Sequence, residues 1–238
     1  MKVAILGYGK MGKTIEDVLL ARKHAVALKI NEGNIEELTL DNLKSCDLAI
    51  EFSNPSSALS NYRLCFEAGI PVVSGTTGWL EHLDQLKLEL NDRNGTLFYS
   101  PNFSIGVNIF FKLNTFLAGL MNQQDNYDVE MEEIHHKEKL DSPSGTGIKT
   151  AALILSEIER KDNWVENVKS RDNELLIKVK REENVHGTHC VDYFSEEDKL
   201  TISHTAFSRK GFALGAVIAA EWVIGKKGFF GMDDMLNF

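Results

Sequence analysis

The sequence predicts an α/β protein: a doubly wound parallel sheet into which a smaller α+β domain with an open mixed sheet is inserted. Short apolar runs alternate with helix-spaced segments over roughly the first 100 residues. A glycine-rich turn follows the first of these runs at once, and after Pro101 the alternation gives way to consecutive strand-like runs.

The elements follow in order. Residues 3–6 (VAIL) are wholly apolar, as in a strand buried on both faces. The turn at 7–12 then opens a helix over 14–22, in which Ile15, Val18 and Leu19 share a face. Strands are expected at 25–30, 47–52, 71–74 and 96–100, with helices at 56–68 and 79–91 between them. Beyond Pro101 an apolar helix over 106–120 precedes a strand at 126–136, where Val129 and Met131 alternate with acidic residues. A helix over 146–160 turns Ala151, Ala152, Ile154, Leu155 and Ile158 inward. Runs at 175–180, 189–194 and 200–205 follow without helices, and an apolar helix over 212–224 is expected to pack back on the first domain. The division is therefore residues 1–103 with 210–238, and residues 104–209.

Composition narrows the function. Lys and Arg number 26 against 35 Asp and Glu, a formal net charge of −9. Without a basic tract the chain is not expected to bind nucleic acid, since phosphate neutralisation supplies most of that affinity. No stretch reaches the roughly 18 apolar residues of a membrane span, and the N-terminal apolar run is too short for a signal peptide. Cys46, Cys65 and Cys190 are widely spaced and odd in number, which suits a reduced cytoplasmic setting.

Gly7-x-Gly9-x-x-Gly12 stands between an expected strand and an expected helix, the context in which it binds a dinucleotide. The first glycine permits the turn, the second admits the pyrophosphate, and the third allows close helix–strand packing. The second strand ends Lys29-Ile30-Asn31-Glu32, so Asn31 stands where an acidic residue would select NAD through the ribose 2′-OH. Glu32 is an alternative for that role, while Lys13 and Lys29 are candidates to attract a 2′-phosphate. Use of NADH, NADPH or both stays open.

The segment from Glu133 to Thr146 is the most unusual in the chain. It has adjacent histidines, His135 and His136, then Lys139, then a Ser144-Gly145-Thr146 turn that opens a helix. Such a turn offers N–H groups and a hydroxyl to a carboxylate, and His and Lys handle protons and anions. Exposed surface and a plain helix cap are the alternatives. A metal set drawn from His135, His136 and Glu133 or His189 is disfavoured, because adjacent strand residues point to opposite faces while ligands must converge. No metal is expected.

Over essentially its whole length the chain resembles the dihydrodipicolinate (4-hydroxy-tetrahydrodipicolinate) reductase family. The resemblance rests on Gly7-Tyr8-Gly9-Lys10-Met11-Gly12, Gly75-Thr76-Thr77-Gly78 and Pro101-Asn102-Phe103-Ser104. It continues through Glu133-Ile134-His135-His136 with Lys139, Asp141-Ser142-Pro143-Ser144-Gly145-Thr146, Arg209, and the closing Gly228-Phe229-Phe230-Gly231-Met232. It implies reduction of 4-hydroxy-tetrahydrodipicolinate, or dihydrodipicolinate, to tetrahydrodipicolinate with release of water, in lysine and diaminopimelate biosynthesis. It implies a Rossmann-type cofactor domain whose NADH or NADPH site comprises the 7–12 turn, Asn31, Phe52, Gly75, Thr76, Thr77, Pro101, Asn102 and Phe103. His135 then corresponds to the acid–base residue and Lys139 to the proton donor. His136, Lys139, Ser144, Gly145 and Thr146 correspond to the groups that hold a small dicarboxylate substrate. A hinge near Asn102 and Arg209 and a homotetramer joined through the second domain are further implications. Two rival readings are another two-domain dehydrogenase, of aspartate-semialdehyde or homoserine type, the former needing a reactive cysteine, and a nucleotide-sensing regulator.

Overall fold

A computed structural model describes all residues, 1–238, as two compact units: Met1–Ile105 with Arg209–Phe238, and Gly106–Ser208. In the first unit β1 (Lys2–Leu6), β2 (Ala25–Ile30), β3 (Leu48–Glu51), β4 (Val72–Ser74), β5 (Thr96–Tyr99) and β11 (Gly228–Phe230) form one sheet. Its order is β11-β5-β4-β3-β1-β2, and every pairing is parallel.

Parallel strands need crossovers, and the helices divide between the two faces. Alternation in β1 shows the division: Val3 and Ile5 meet Ile15 and Leu19 of α1 (Lys10–Ala21) and the small residues of α7 (Lys210–Val223). Ala4 and Leu6 face the other core, with Tyr62, Cys65 and Phe66 of α3 (Pro55–Ala68) and Leu86 and Leu90 of α4 (Leu83–Asp92). α3 starts cleanly because Asn54 accepts from the Ser57 N–H (3.0 Å) and Pro55 needs no partner for its nitrogen. Helix α7 packs on the first unit's sheet, as its all-round apolar sequence requires.

The second unit has a five-stranded sheet ordered β10-β9-β6-β8-β7, from β6 (Asp128–His136), β7 (Asn163–Glu166), β8 (Glu174–Glu182), β9 (Thr188–Phe194) and β10 (Lys199–Thr205). β8 runs parallel to β6 and β7, whereas β9 is antiparallel to β6 and β10, so the sheet is mixed. Helices α5 (Ile105–Met121) and α6 (Gly145–Glu157) cover one face over a core including Phe110, Phe111, Ile154, Met131, Ile177 and Tyr193. The other face is polar, with cross-strand pairs Lys178–Glu130 (2.6 Å), Lys180–Glu132 and Lys199–Asp192 (3.1 Å). No helix of the chain is long and apolar enough to cross a membrane.

Several local expectations need correction. Ala152 is exposed rather than inward, because α6 turns the Gly147, Thr150, Ala151 and Ile154 side to the core, with Leu155 packed against it. That helix stops at Glu157, with Ile158 buried beyond its end. The segment at 79–91 begins with a 3-10 turn, Leu80–His82, before α4. Strands β7 and β11 and the short helices α2 (Leu40–Lys44) and α8 (Met232–Leu236) are additional; each has five residues or fewer, too short to show a period.

Gly215 marks the tightest helix–chain contact in the first unit: a Cβ there would lie 1.8 Å from the Phe103 carbonyl oxygen. Gly215→Ala must push α7 off that backbone, and overpacking of this kind costs about 1–3 kcal/mol. Urea denaturation should show a correspondingly lower midpoint.

Candidate active site

In the first unit the glycine turn is built as the spacing implies. Gly7 has φ +99°, and a Cβ on it would sit 2.0 Å from the Phe52 carbonyl oxygen. A Cβ on Gly12 would lie 2.5 Å from the Gly7 carbonyl oxygen, which explains its absence through helix–strand packing. Gly9 differs: a Cβ there would meet nothing within 4 Å. Protein packing does not demand its bareness, whereas close approach of a pyrophosphate does.

That turn borders a cleft of about 730 Å³ lined by Gly7, Tyr8, Gly9, Asn31, Glu32 and Phe52, among others. A neighbouring cavity of about 290 Å³ is lined by Met11, Phe52, Ser53, Pro55, Gly75, Thr76 and Thr77. Both lie at the carboxyl ends of the strands, where doubly wound sheets bind ligands. Lys10, Gly12, Pro101, Asn102 and Phe103 do not line either. The Phe103 ring is 2% exposed and stacks on Phe98 at 5.8 Å, so it belongs to the core.

The charges proposed to read a 2′-phosphate are partly committed elsewhere. Lys29 pairs with Glu16 at 2.6 Å and lies over the Tyr8 ring, whose hydroxyl also donates to Glu16. Asn31 Oδ1 accepts from the Gly33 N–H at 2.7 Å, fixing the turn after β2.

In the second unit the period of β6 settles which histidine is inside. Glu133 and His135 fall on the helix-covered face, at 0% and 6% exposure, and His136 falls in the opposite row. The antiparallel register sets His189 opposite Glu133, and the parallel register sets Arg181 beside His135. His135 Nδ1 lies 3.6 Å from Glu133 Oε1, and the His135 and His189 rings meet edge-to-face at 5.1 Å.

Ser144 ties this cluster to the start of α6. Its N–H donates to Glu133 Oε1 (2.9 Å) and its hydroxyl to Glu133 Oε2 (2.6 Å). The same hydroxyl accepts from the Gly147 N–H (3.0 Å) and lies 3.0 Å from His189 Nε2. Ser144 is thus a buried support rather than a free substrate ligand. Gly147 stays bare because a Cβ would fall 2.3 Å from Glu133 Oε2. Gly145 is exposed, and a Cβ on it would meet nothing within 4 Å, leaving the helix start accessible.

Two cations border the cluster. Lys139 Nζ holds both Asp141 oxygens, at 2.8 and 2.9 Å. Arg181 donates to the Asp141 carbonyl (2.9 Å), with its other terminal nitrogen 3.8 Å from Glu133 Oε1. Burial, then the Lys139 and Arg181 charges, push the His135 pKa down to about 4. Burial, then His135 and His204, push His189 down to about 3. Both imidazoles are neutral at pH 7.

Glu133, His135 and His189 present ligand atoms within 4.8 Å of one another, a set that could chelate a cation. It contains Glu133 and His189 but excludes His136. Lys139 and Arg181 oppose a divalent ion there, whereas the same charges favour an anion. The sequence reading did not include Arg181 or Asp141 among its site residues, and His189 entered only as a metal candidate. Their proximity depends on strand register, which local patterning does not reveal.

None of the cysteines is a poised nucleophile. Cys46 and Cys65 are buried and unpaired, with thiols pushed up chiefly by burial; burial also pushes Cys190 up to about 11.

The neutral histidines tie stability to pH. Unfolded imidazoles titrate near about 6.5, so between that value and the folded ones the unfolded chain binds more protons. The contribution of these two groups to stability is complete above about pH 6.5 and falls as pH drops towards 4. His189→Gln should flatten that fall, read as a smaller difference in urea midpoint between about pH 7 and about pH 5.

The family model described as dihydrodipicolinate reductase, N-terminus, matches residues 1–103, and that described as dihydrodipicolinate reductase, C-terminus, matches residues 106–236. The chain is 47% identical over 237 residues to the 4-hydroxy-tetrahydrodipicolinate reductase of Christiangramia forsetii, covering 100% of this chain and 98% of that protein. It is 34% identical over 261 residues to the enzyme of the same name from Archaeoglobus fulgidus, covering 100% of each. Among solved structures, the dipicolinate-bound dihydrodipicolinate reductase from Paenisporosarcina sp. TG-14 matches with a TM-score of 0.81 at 23% identity, over 99% of each chain. That last likeness is one of fold.

Proposed function

The chain belongs to the dihydrodipicolinate reductase family, and from that premise we propose how its own residues carry out the family's reaction. The protein is an oxidoreductase that reduces 4-hydroxy-tetrahydrodipicolinate to tetrahydrodipicolinate with release of water, in lysine and diaminopimelate biosynthesis. The observation that carries this reading is family likeness through both units, residues 1–103 and 106–236.

NADH or NADPH supplies the hydride when bound. The open face of Gly9 and the start of α1 hold the pyrophosphate, and the Asn31 end of the larger cleft takes the adenosine. Gly75, Thr76 and Thr77 with Phe52 hold the nicotinamide end. In the second unit the exposed Gly145 and the half-buried Thr146 at the start of α6, with Lys139 and Arg181, hold the substrate carboxylates. Lys139 presents an ammonium to donate the proton, and neutral His135 orients the ring nitrogen or passes the proton on.

The quaternary state we propose is a homotetramer joined through the sheet face that α5 and α6 leave uncovered. Unpaired cysteines fit a cytoplasmic enzyme. An acidic chain of net charge −9 is no nucleic-acid binder.

The direct test follows oxidation of NADH and of NADPH at 340 nm with freshly made synthase product. No oxidation above background with either cofactor overturns the reading. In the same assay His135→Gln should lower kcat by about 10²–10⁴-fold, the range for lost acid–base catalysis. Lys139→Ala should raise KM and lower kcat together; unchanged values would remove it from the site.

Cofactor choice has its own variant. Asn31→Asp keeps the acceptor that holds the Gly33 N–H and adds a charge that repels a 2′-phosphate. The ratio of kcat/KM values should move towards NADH, and an unmoved ratio would place discrimination elsewhere.

A further inference from the structure

Glu51, the last residue of β3, is 0% exposed and has no cationic partner. Its oxygens accept from the Ser53 N–H (3.1 Å), the Thr76 hydroxyl (3.0 Å) and the Ser74 hydroxyl (2.6 Å), and from the Ser53 hydroxyl. Asn61 Nδ2 and the Tyr62 hydroxyl stand at 3.5 Å. The surroundings therefore consist of neutral donors aimed at one carboxylate. Burial, then the Glu51 charge, push the Tyr62 phenol upward.

Stability alone does not call for such a group. A buried charge without a counter-ion is costly, and a glutamine could be served by the same hydroxyls, which rotate to donate or accept. What the carboxylate adds over the amide is its charge.

Topology says where that charge acts. The sheet order sets β2 on one side of β1 and β3, β4 and β5 on the other. A dinucleotide bound across the carboxyl ends of these strands puts its adenosine half at β2 and its other half over β3 and β4. Ser53 and Thr76, both held by Glu51, line the 290 Å³ cavity at exactly that end of the crevice. The group delivered there is the nicotinamide ring. Hydride leaves its C4 with the bonding electron pair and forms a C–H bond on the substrate, so a neutral dihydronicotinamide becomes a cationic nicotinamide.

We propose that Glu51 is an electrostatic positioning residue: its buried carboxylate, acting through Ser53 and Thr76, favours the cationic over the neutral nicotinamide and so favours hydride donation. This rests on the reading that the clefts of the first unit hold NADH or NADPH. A full charge one side chain behind the wall corresponds to roughly tenfold in an equilibrium constant.

The test compares dissociation constants for the oxidised and reduced forms of the same cofactor, by calorimetry, in wild type, Glu51→Gln and Glu51→Asp. Glu51→Gln should weaken the oxidised form about tenfold and leave the reduced form within about twofold. Glu51→Asp, which keeps the charge, should keep the wild-type ratio even if both forms bind more weakly. Equal weakening of both forms by Glu51→Gln would show a merely structural role and overturn the proposal. If Glu51→Gln does not fold, Glu51→Asp decides: a preserved ratio sustains the proposal and a roughly tenfold change overturns it. Wild type that binds neither NADH nor NADPH would fail the cofactor reading itself. Wild-type binding with an unmoved ratio in Glu51→Gln would fail this proposal alone.

Discussion

A carboxylate withdrawn from water must be surrounded by donors, and each unit of this protein is organised round one such group. In the first, Glu51 draws Ser53, Ser74 and Thr76 together, so the loops after β3 and β4 converge on one point. In the second, Glu133 takes both the N–H and the hydroxyl of Ser144 and so fixes where α6 begins. The two carboxylates occupy comparable places, at or near the carboxyl end of a strand beneath a connecting loop. In both, the residue that touches the carboxylate also fixes the backbone around it, so two elements of the unit rest on the same hydrogen bonds. Leaving those donors unpaired would cost more than any single contact contributes, which favours this arrangement of the loops.

Much of this was legible in the sequence, for reasons that can be traced. The parallel sheet announced itself because strands buried on both faces are apolar runs, as at Val3 and Leu48, and because the crossover helices α1, α3 and α4 are long enough to show a period. Gly7, Gly9 and Gly12 were readable because their spacing encodes backbone approaches that any side chain would block. The alternation along β6 even foretold that His135 and His136 could not act on one face. Short elements escaped: β11 is three residues of an ordinary composition, recognisable as a strand only once Gly228 pairs beside Thr96. The partners of His135 escaped for a related reason. Arg181 and His189 lie 46 and 54 positions further along the chain, and only the registers of β8 and β9 bring them in. Ser144 read as a ligand because a helix cap and an anion site use the same chemistry, and the difference lies in whether Glu133 already occupies it.

The same balance of charges bears on how the second unit's cluster works. A net charge of −9 describes the whole surface and says little about a buried site. Locally, Lys139 is matched by Asp141, while Arg181 stands 3.8 Å from Glu133. His135 beside them is pushed towards neutrality because burial and those cations leave no gain in adding a third positive charge. A dicarboxylate placed against Lys139 and Arg181 reverses that balance, since two negative charges in a poorly solvated site favour protonation of whatever lies beside them. Proton affinity at His135 therefore rises with any negative charge set against those cations.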